Sequence, residues 1–134
     1  NIRIRKAIII AIVLSGVLLN FTYGIGLFGA FFDSQYSNTI REFLISAIIL
    51  EFSWASLLFW VLFKPFERRH ILLFTIIPIL FGSILHSVNQ LLNTNVGLGA
   101  VSLNIIFGLL YSGLYVFAYF LGKPVESSHV NINE

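Results

Sequence analysis

With 134 residues, the chain has room for one domain. Only 10% of its residues are charged and 57% are hydrophobic, whereas soluble domains carry about 25% charged residues; lipid must therefore be the solvent for most of the chain. The absence of Cys excludes disulfides, thiolate metal sites and Cys nucleophiles, and a net charge of +2 is too small to point to nucleic acid.

A bilayer core about 30 Å thick needs about 20 apolar residues per helix. The first run that qualifies, residues 7–32, follows Arg3, Arg5 and Lys6. It is far longer than the roughly 7–15 residues of a signal-peptide core, and no A-x-A-like site follows it. It therefore predicts a first span that stays in the membrane. Gly24, Gly26 and Gly29 match G-x-G-x-x-G in spacing, but no strand precedes them, so they predict close packing or a bend. A polar turn over residues 33–38 leads to the second span, 40–63. The charged loop 64–70 holds Pro65, which stops a helix. The third span, 71–92, contains Pro78. A polar turn at 93–97 precedes the fourth span, 98–121, and a polar tail occupies 122–134.

Turns this short force neighbouring helices to run antiparallel. A transmembrane barrel is excluded, because its strands alternate apolar and polar residues over about 10 residues and these runs are continuously apolar. Basic residues collect on the cytoplasmic side of membrane helices. Four spans put Arg3, Arg5, Lys6, Lys64, Arg68, Arg69 and Lys123 on one side, leaving only Arg41 on the other. That split predicts both ends inside.

Lipid tails are as apolar as Leu, so polar and small residues mark helix–helix contacts. On the third span, Thr75, Gly82, Ser83, His86, Asn89, Gln90 and Asn93 form one stripe at about 100° per residue. On the fourth, Gly97, Ala100, Asn104, Gly108, Tyr111, Tyr115, Ala118 and Gly122 do the same. The first span presents Gly16, Asn20, Tyr23 and Gly24 together. On the second, Ala47 and Ala55 flank Glu51, while Ser46 and Ser53 form a separate small face suited to an oligomer contact. At 1.5 Å per residue, Asn20 and Glu51 lie about 16 Å below the outer end, and His86 and Asn104 about 9 Å below it. The four helices thus contribute to one polar cluster with Glu51 at its floor.

An ionisable group at that depth costs roughly 2.5–3.5 kcal/mol on insertion scales and is a functional candidate by default. Glu51 fits proton or cation handling, the anchoring of a cationic ligand, or a structural hydrogen bond between helices. His86 fits a proton relay or an interhelical bond to Asn104 or Glu51. His70 and His129 lie in a loop and the tail, so neither joins His86 in a metal or haem site.

The sequence therefore predicts an all-α integral membrane protein. Its single domain is a four-helix, up-down-up-down bundle with short loops, N-in and C-in, ending in a cytoplasmic tail. The expected function is binding or translocation of a small solute, ion or lipid headgroup. The expected site is an outward-facing cavity centred on Glu51 and His86, with Asn20, Asn89, Gln90, Asn104, Tyr23, Tyr111 and Tyr115 around them. Lys64, Arg68 and Arg69 are expected at inner-leaflet lipid. No metal or cofactor is expected. The expected partners are membrane lipids and either further copies of the chain or a larger membrane protein, not nucleic acid. The expected location is a bacterial cytoplasmic (inner) membrane. Two alternatives stand beside this reading: a non-catalytic accessory subunit of a membrane complex, and a lipid- or quinone-modifying enzyme. The second lacks any nucleophile–base pair or Walker loop.

Overall fold

A computed structural model describes residues 1–93 and 98–124, less the side chains of Asn89, Gln90, Asn93, Leu98 and Ala100. Among the described residues it is all-helical: α1 (Ile2–Phe31), α2 (Asn38–Phe63), α3 (His70–Asn93) and α4 (Leu98–Leu121). All four helices are long and apolar enough to cross a membrane. Residues 94–97 of the expected third turn and 125–134 of the expected tail lie outside the described residues.

Three helices begin earlier than hydropathy predicts, α3 by a single residue at His70. α1 starts at Ile2 rather than residue 7, and the Asn1 side chain accepts the Arg3 N–H at 3.0 Å. Arg and Lys are good helix formers, so the helix continues through basic residues that lipid would exclude. Hydropathy locates the stretch that faces lipid, not the last backbone hydrogen bond. α2 starts at Asn38, with the Ser37 hydroxyl accepting the Ile40 N–H at 3.4 Å as an N-cap. α3 runs through Pro78 without interruption.

The helices form two hairpins. α1 packs along α2 and α3 along α4, while α1–α4 and α2–α3 meet over shorter stretches. Gly24 lies against Phe52 and Gly16 against Leu58, so α1 and α2 run in opposite directions. Likewise Ser83 lies against Gly108, and the Ser87 hydroxyl donates to the Val101 carbonyl at 3.4 Å, so α3 and α4 do too. The hairpins join at the end that carries the 64–69 loop. There Ile9, Val13, Leu58, Val61, Leu72, Tyr115 and Ala118 form a buried core drawn from all four helices.

Two arginines close the same end. The Arg5 guanidinium donates to the Leu121 carbonyl, by Nε at 2.9 Å, and to the Lys123 carbonyl at 2.5 Å. Arg69 donates to the Gly122 carbonyl at 2.5 Å. The Leu121 carbonyl is one that a helix C-terminus leaves without an intrahelical partner, those of Gly122 and Lys123 follow it directly, and the negative end of the helix dipole favours a cation there.

The exterior is apolar. Phe43 is 73% and Leu92 77% exposed, and no more than 28% of any span's apolar window is buried inside the protein. Monomeric soluble proteins rarely expose contiguous apolar patches above a few hundred Å². Between the helices, small residues set the distance. A Cβ at Gly108 would come within 2.7 Å of the Ser83 Cβ, so the α3–α4 contact has no room for a methyl group. Gly108→Ala is expected to destabilise the protein by about 1–3 kcal/mol through overpacking, read from unfolding in detergent micelles. The same change at Gly113, where a Cβ meets open space, is expected to be neutral or stabilising, as Ala is the better helix former.

Candidate functional site

Above the buried core, a cavity of about 150 Å³ lies between the hairpins. α1 lines it with Gly16, Leu19, Asn20 and Tyr23, and α2 with Glu51. α3 contributes Ile79, and α4 contributes Phe107, Tyr111 and Tyr115. The residues of α4 are spaced by four, which stacks them on one helix face. Their rings form a continuous wall, with centroids 5.0 Å apart for Phe107–Tyr111 and 6.0 Å for Tyr111–Tyr115.

The polar groups differ in how they are satisfied. The Asn20 amide nitrogen donates to the Gly16 carbonyl at 2.8 Å, one turn back on α1. That bond uses a donor and leaves the amide oxygen as an acceptor. The Tyr111 hydroxyl donates across the hairpins to the Ser15 hydroxyl at 3.2 Å, which donates to the Ile12 carbonyl at 2.7 Å. Tyr115 is fully buried, and its hydroxyl stands against Gly16 where any Cβ would lie. That hydroxyl has no hydrogen-bond partner among the described residues. Glu51 is half-buried and forms neither a hydrogen bond nor an ion pair among the described residues. Ala47 and Ala55 sit one turn to either side of it, and Ala55 is buried.

Five of the sequence-predicted residues come together here: Asn20, Tyr23, Glu51, Tyr111 and Tyr115. His86 does not line the cavity; it is exposed on α3, seven residues beyond Ile79. Seven residues make almost two full turns, which puts His86 on the Ile79 face about 10 Å farther along. Asn104 is half-buried on α4, outside the lining. Asn89 and Gln90 lie on α3, but their side chains are outside the described residues. Leu19, Ile79 and Phe107 were not legible as site residues, because an apolar side chain facing a cavity reads like one facing lipid.

The expected stripe on α3 divides. Thr75 is buried and bonds the Ile71 carbonyl at 2.9 Å, and Ser83 packs on Gly108, but Gly82 is exposed with open space before it. Ser87, outside that stripe, is buried instead. The register of α3 is set by Gly108 and Val101 of α4. On α1, of the three glycines at 24, 26 and 29, only Gly24 packs closely, against Phe52.

The basic loop is engaged within the protein. Lys64 pairs with Glu67 at 2.9 Å. Arg68 donates to the Trp60 carbonyl at 2.6 Å and lies 3.9 Å over the Trp60 ring. Arg69 holds the end of α4 as described above. Ser46 and Ser53 are exposed, each with its hydroxyl turned back on a carbonyl of its own helix, at 3.3 and 2.7 Å.

The cavity thus offers one carboxylate, an amide oxygen, three phenols and an aromatic wall. Among the described residues no three His, Cys, Asp or Glu side chains group to hold a metal ion. The chain matches no protein-family model, no curated protein and no solved structure.

Proposed function

We propose that this protein binds a small solute or ion in the intramembrane cavity between its two hairpins and passes it toward the side of the 32–37 turn. The observation that carries this reading is Glu51, a carboxylate at mid-length of a membrane-length helix, lining a cavity without a partner among the described residues. A carboxylate costs too much in hydrocarbon to persist without something that solvates or pairs it. Asn20 and the Tyr115 hydroxyl, each with unspent capacity, support the same reading. Topology follows from charge: both ends inside, the 64–69 loop inside, and the cavity reached from outside. The membrane is a bacterial cytoplasmic membrane in this proposal.

The test uses single cysteines, since the native chain has none. Thiols react with methanethiosulfonates as thiolates, which form in water and not in hydrocarbon. Leu19→Cys and Ile79→Cys are expected to react with a membrane-impermeant reagent added outside. Ile49→Cys, 61% exposed on the outside of α2, is expected to stay unmodified because lipid covers it. Equal protection of all three thiols would defeat the proposal.

A second reading is an accessory subunit of a larger membrane complex. It is favoured by the exposed Ser46 and Ser53 on α2, small residues on a face outside the bundle. A stable complex with a larger protein, lost on Ser53→Phe, would select it.

A further inference from the structure

Resting on the proposed cavity, we infer that its occupant is a small alkylammonium cation, a quaternary or tertiary amine of about trimethylammonium bulk. Size comes first. The cavity of about 150 Å³ matches in volume the kind of apolar cavity that accepts benzene. Charge comes second. Among the described residues Glu51 is the one acidic side chain lining the cavity and has no counter-charge, so an anion is repelled and a cation is drawn in.

The nature of the walls narrows the cation. A bare metal ion needs six or more oxygen ligands or several nitrogens and thiolates. Here only the Glu51 carboxylate and the Asn20 amide supply strong oxygen donors, the other lining oxygens being neutral phenols, and no trio of His, Cys, Asp or Glu side chains groups among the described residues. The remaining surface is carbon and aromatic rings. Phe107, Tyr111 and Tyr115 form one wall, and Tyr23 stands on α1. Aromatic faces attract alkylammonium groups, whose charge is spread over methyl groups that need no hydrogen-bond acceptors. The same chemistry fits a free amine from water and a choline headgroup from the bilayer.

The experiment compares two thiol reagents of similar length on Ile79→Cys in nanodiscs, with Leu19→Cys as the second site. One carries a trimethylammonium group and the other a sulfonate. The cationic reagent is expected to react at least about tenfold faster relative to its rate on a free thiol, and Glu51→Gln or Tyr111→Leu is expected to erase most of that preference. Tetramethylammonium, at ionic strength matched with NaCl, is expected to slow the reaction, while 3,3-dimethylbutan-1-ol, a neutral analogue of choline, is not. Slower modification in phosphatidylcholine than in phosphatidylglycerol discs, each rate normalised to a thiol at Ser34 that feels the same surface potential, supports the inference with lipid as the source; protection by tetramethylammonium alone supports it with a free amine. Equal normalised rates for both reagents overturn the cation and leave a water-filled cavity standing. No reaction at either site, while a thiol placed at Ser34 reacts, overturns the cavity and the inference together.

Discussion

Gly16→Ala is expected to be among the most damaging single-methyl changes in this protein. A Cβ at that position would collide with the Tyr115 hydroxyl, and it would stand 3.1 Å from both the Tyr115 ring and a Leu58 methyl. Tyr115 cannot easily give way, because it is fully buried in the core where α1, α2, α3 and α4 meet. The expected cost is about 1–3 kcal/mol, the range for overpacking a filled interior. Tyr115→Phe removes the colliding oxygen and also removes a buried hydroxyl with no partner. In a Tyr115→Phe background the cost of Gly16→Ala is therefore expected to fall, with a coupling energy of about 0.5–3 kcal/mol in a double-mutant cycle. Unfolding of the four variants in detergent checks this. Additive effects would mean that the α1–α4 contact is looser than the backbone distances imply.

The double substitution Arg5→Lys, Arg69→Lys is expected to lower stability without changing topology. Each guanidinium reaches two carbonyls: Arg5 those of Leu121 and Lys123, Arg69 those of Gly122 and Phe66. A lysine keeps the positive charge on which the proposed orientation rests but has no planar fork to span two acceptors. Hydrogen bonds to charged groups contribute about 1.5–3 kcal/mol each when their partners are otherwise unmet. Both arginines are only half-buried, so water screens part of that and the lower end of the range applies to each. The two are on different segments, the start of α1 and the loop before α3, and both grip the end of α4. Their joint loss is expected to loosen the one end at which the hairpins are held together. Thermal unfolding reads the stability, and a reporter fused to the C-terminus reads the orientation. Unchanged unfolding would show that apolar packing of Ile9, Val13, Leu72 and Ala118 suffices there.

Sequence by itself determined the helices. Runs of more than 20 apolar residues can satisfy their backbone in lipid only as helices, and polar breaks of a few residues leave no choice but hairpins. It also picked the inner face of α4, where Gly108, Tyr115, Ala118 and Gly122 are all buried as their spacing predicts. On α1, Gly16 and Gly24 likewise meet other helices, and Asn20 lines the cavity. Small and polar residues betray a contact because lipid has no use for them.

Tertiary structure decided the rest. His86 and Glu51 share a polar character, and the sequence joins them in one cluster. Only the packing shows that Glu51 faces the space between the hairpins while His86 stands exposed farther along α3. The rotation of α3 depends on which residue of α4 its Ser83 meets, a pairing no wheel drawn for one helix contains. The cavity wall of Leu19, Ile79 and Phe107 was hidden for a related reason: hydrocarbon facing lipid and hydrocarbon facing a cavity have the same composition. The charge that a cavity must accommodate was written in the sequence at Glu51; the aromatic surface around it exists only once α4 is laid against α1.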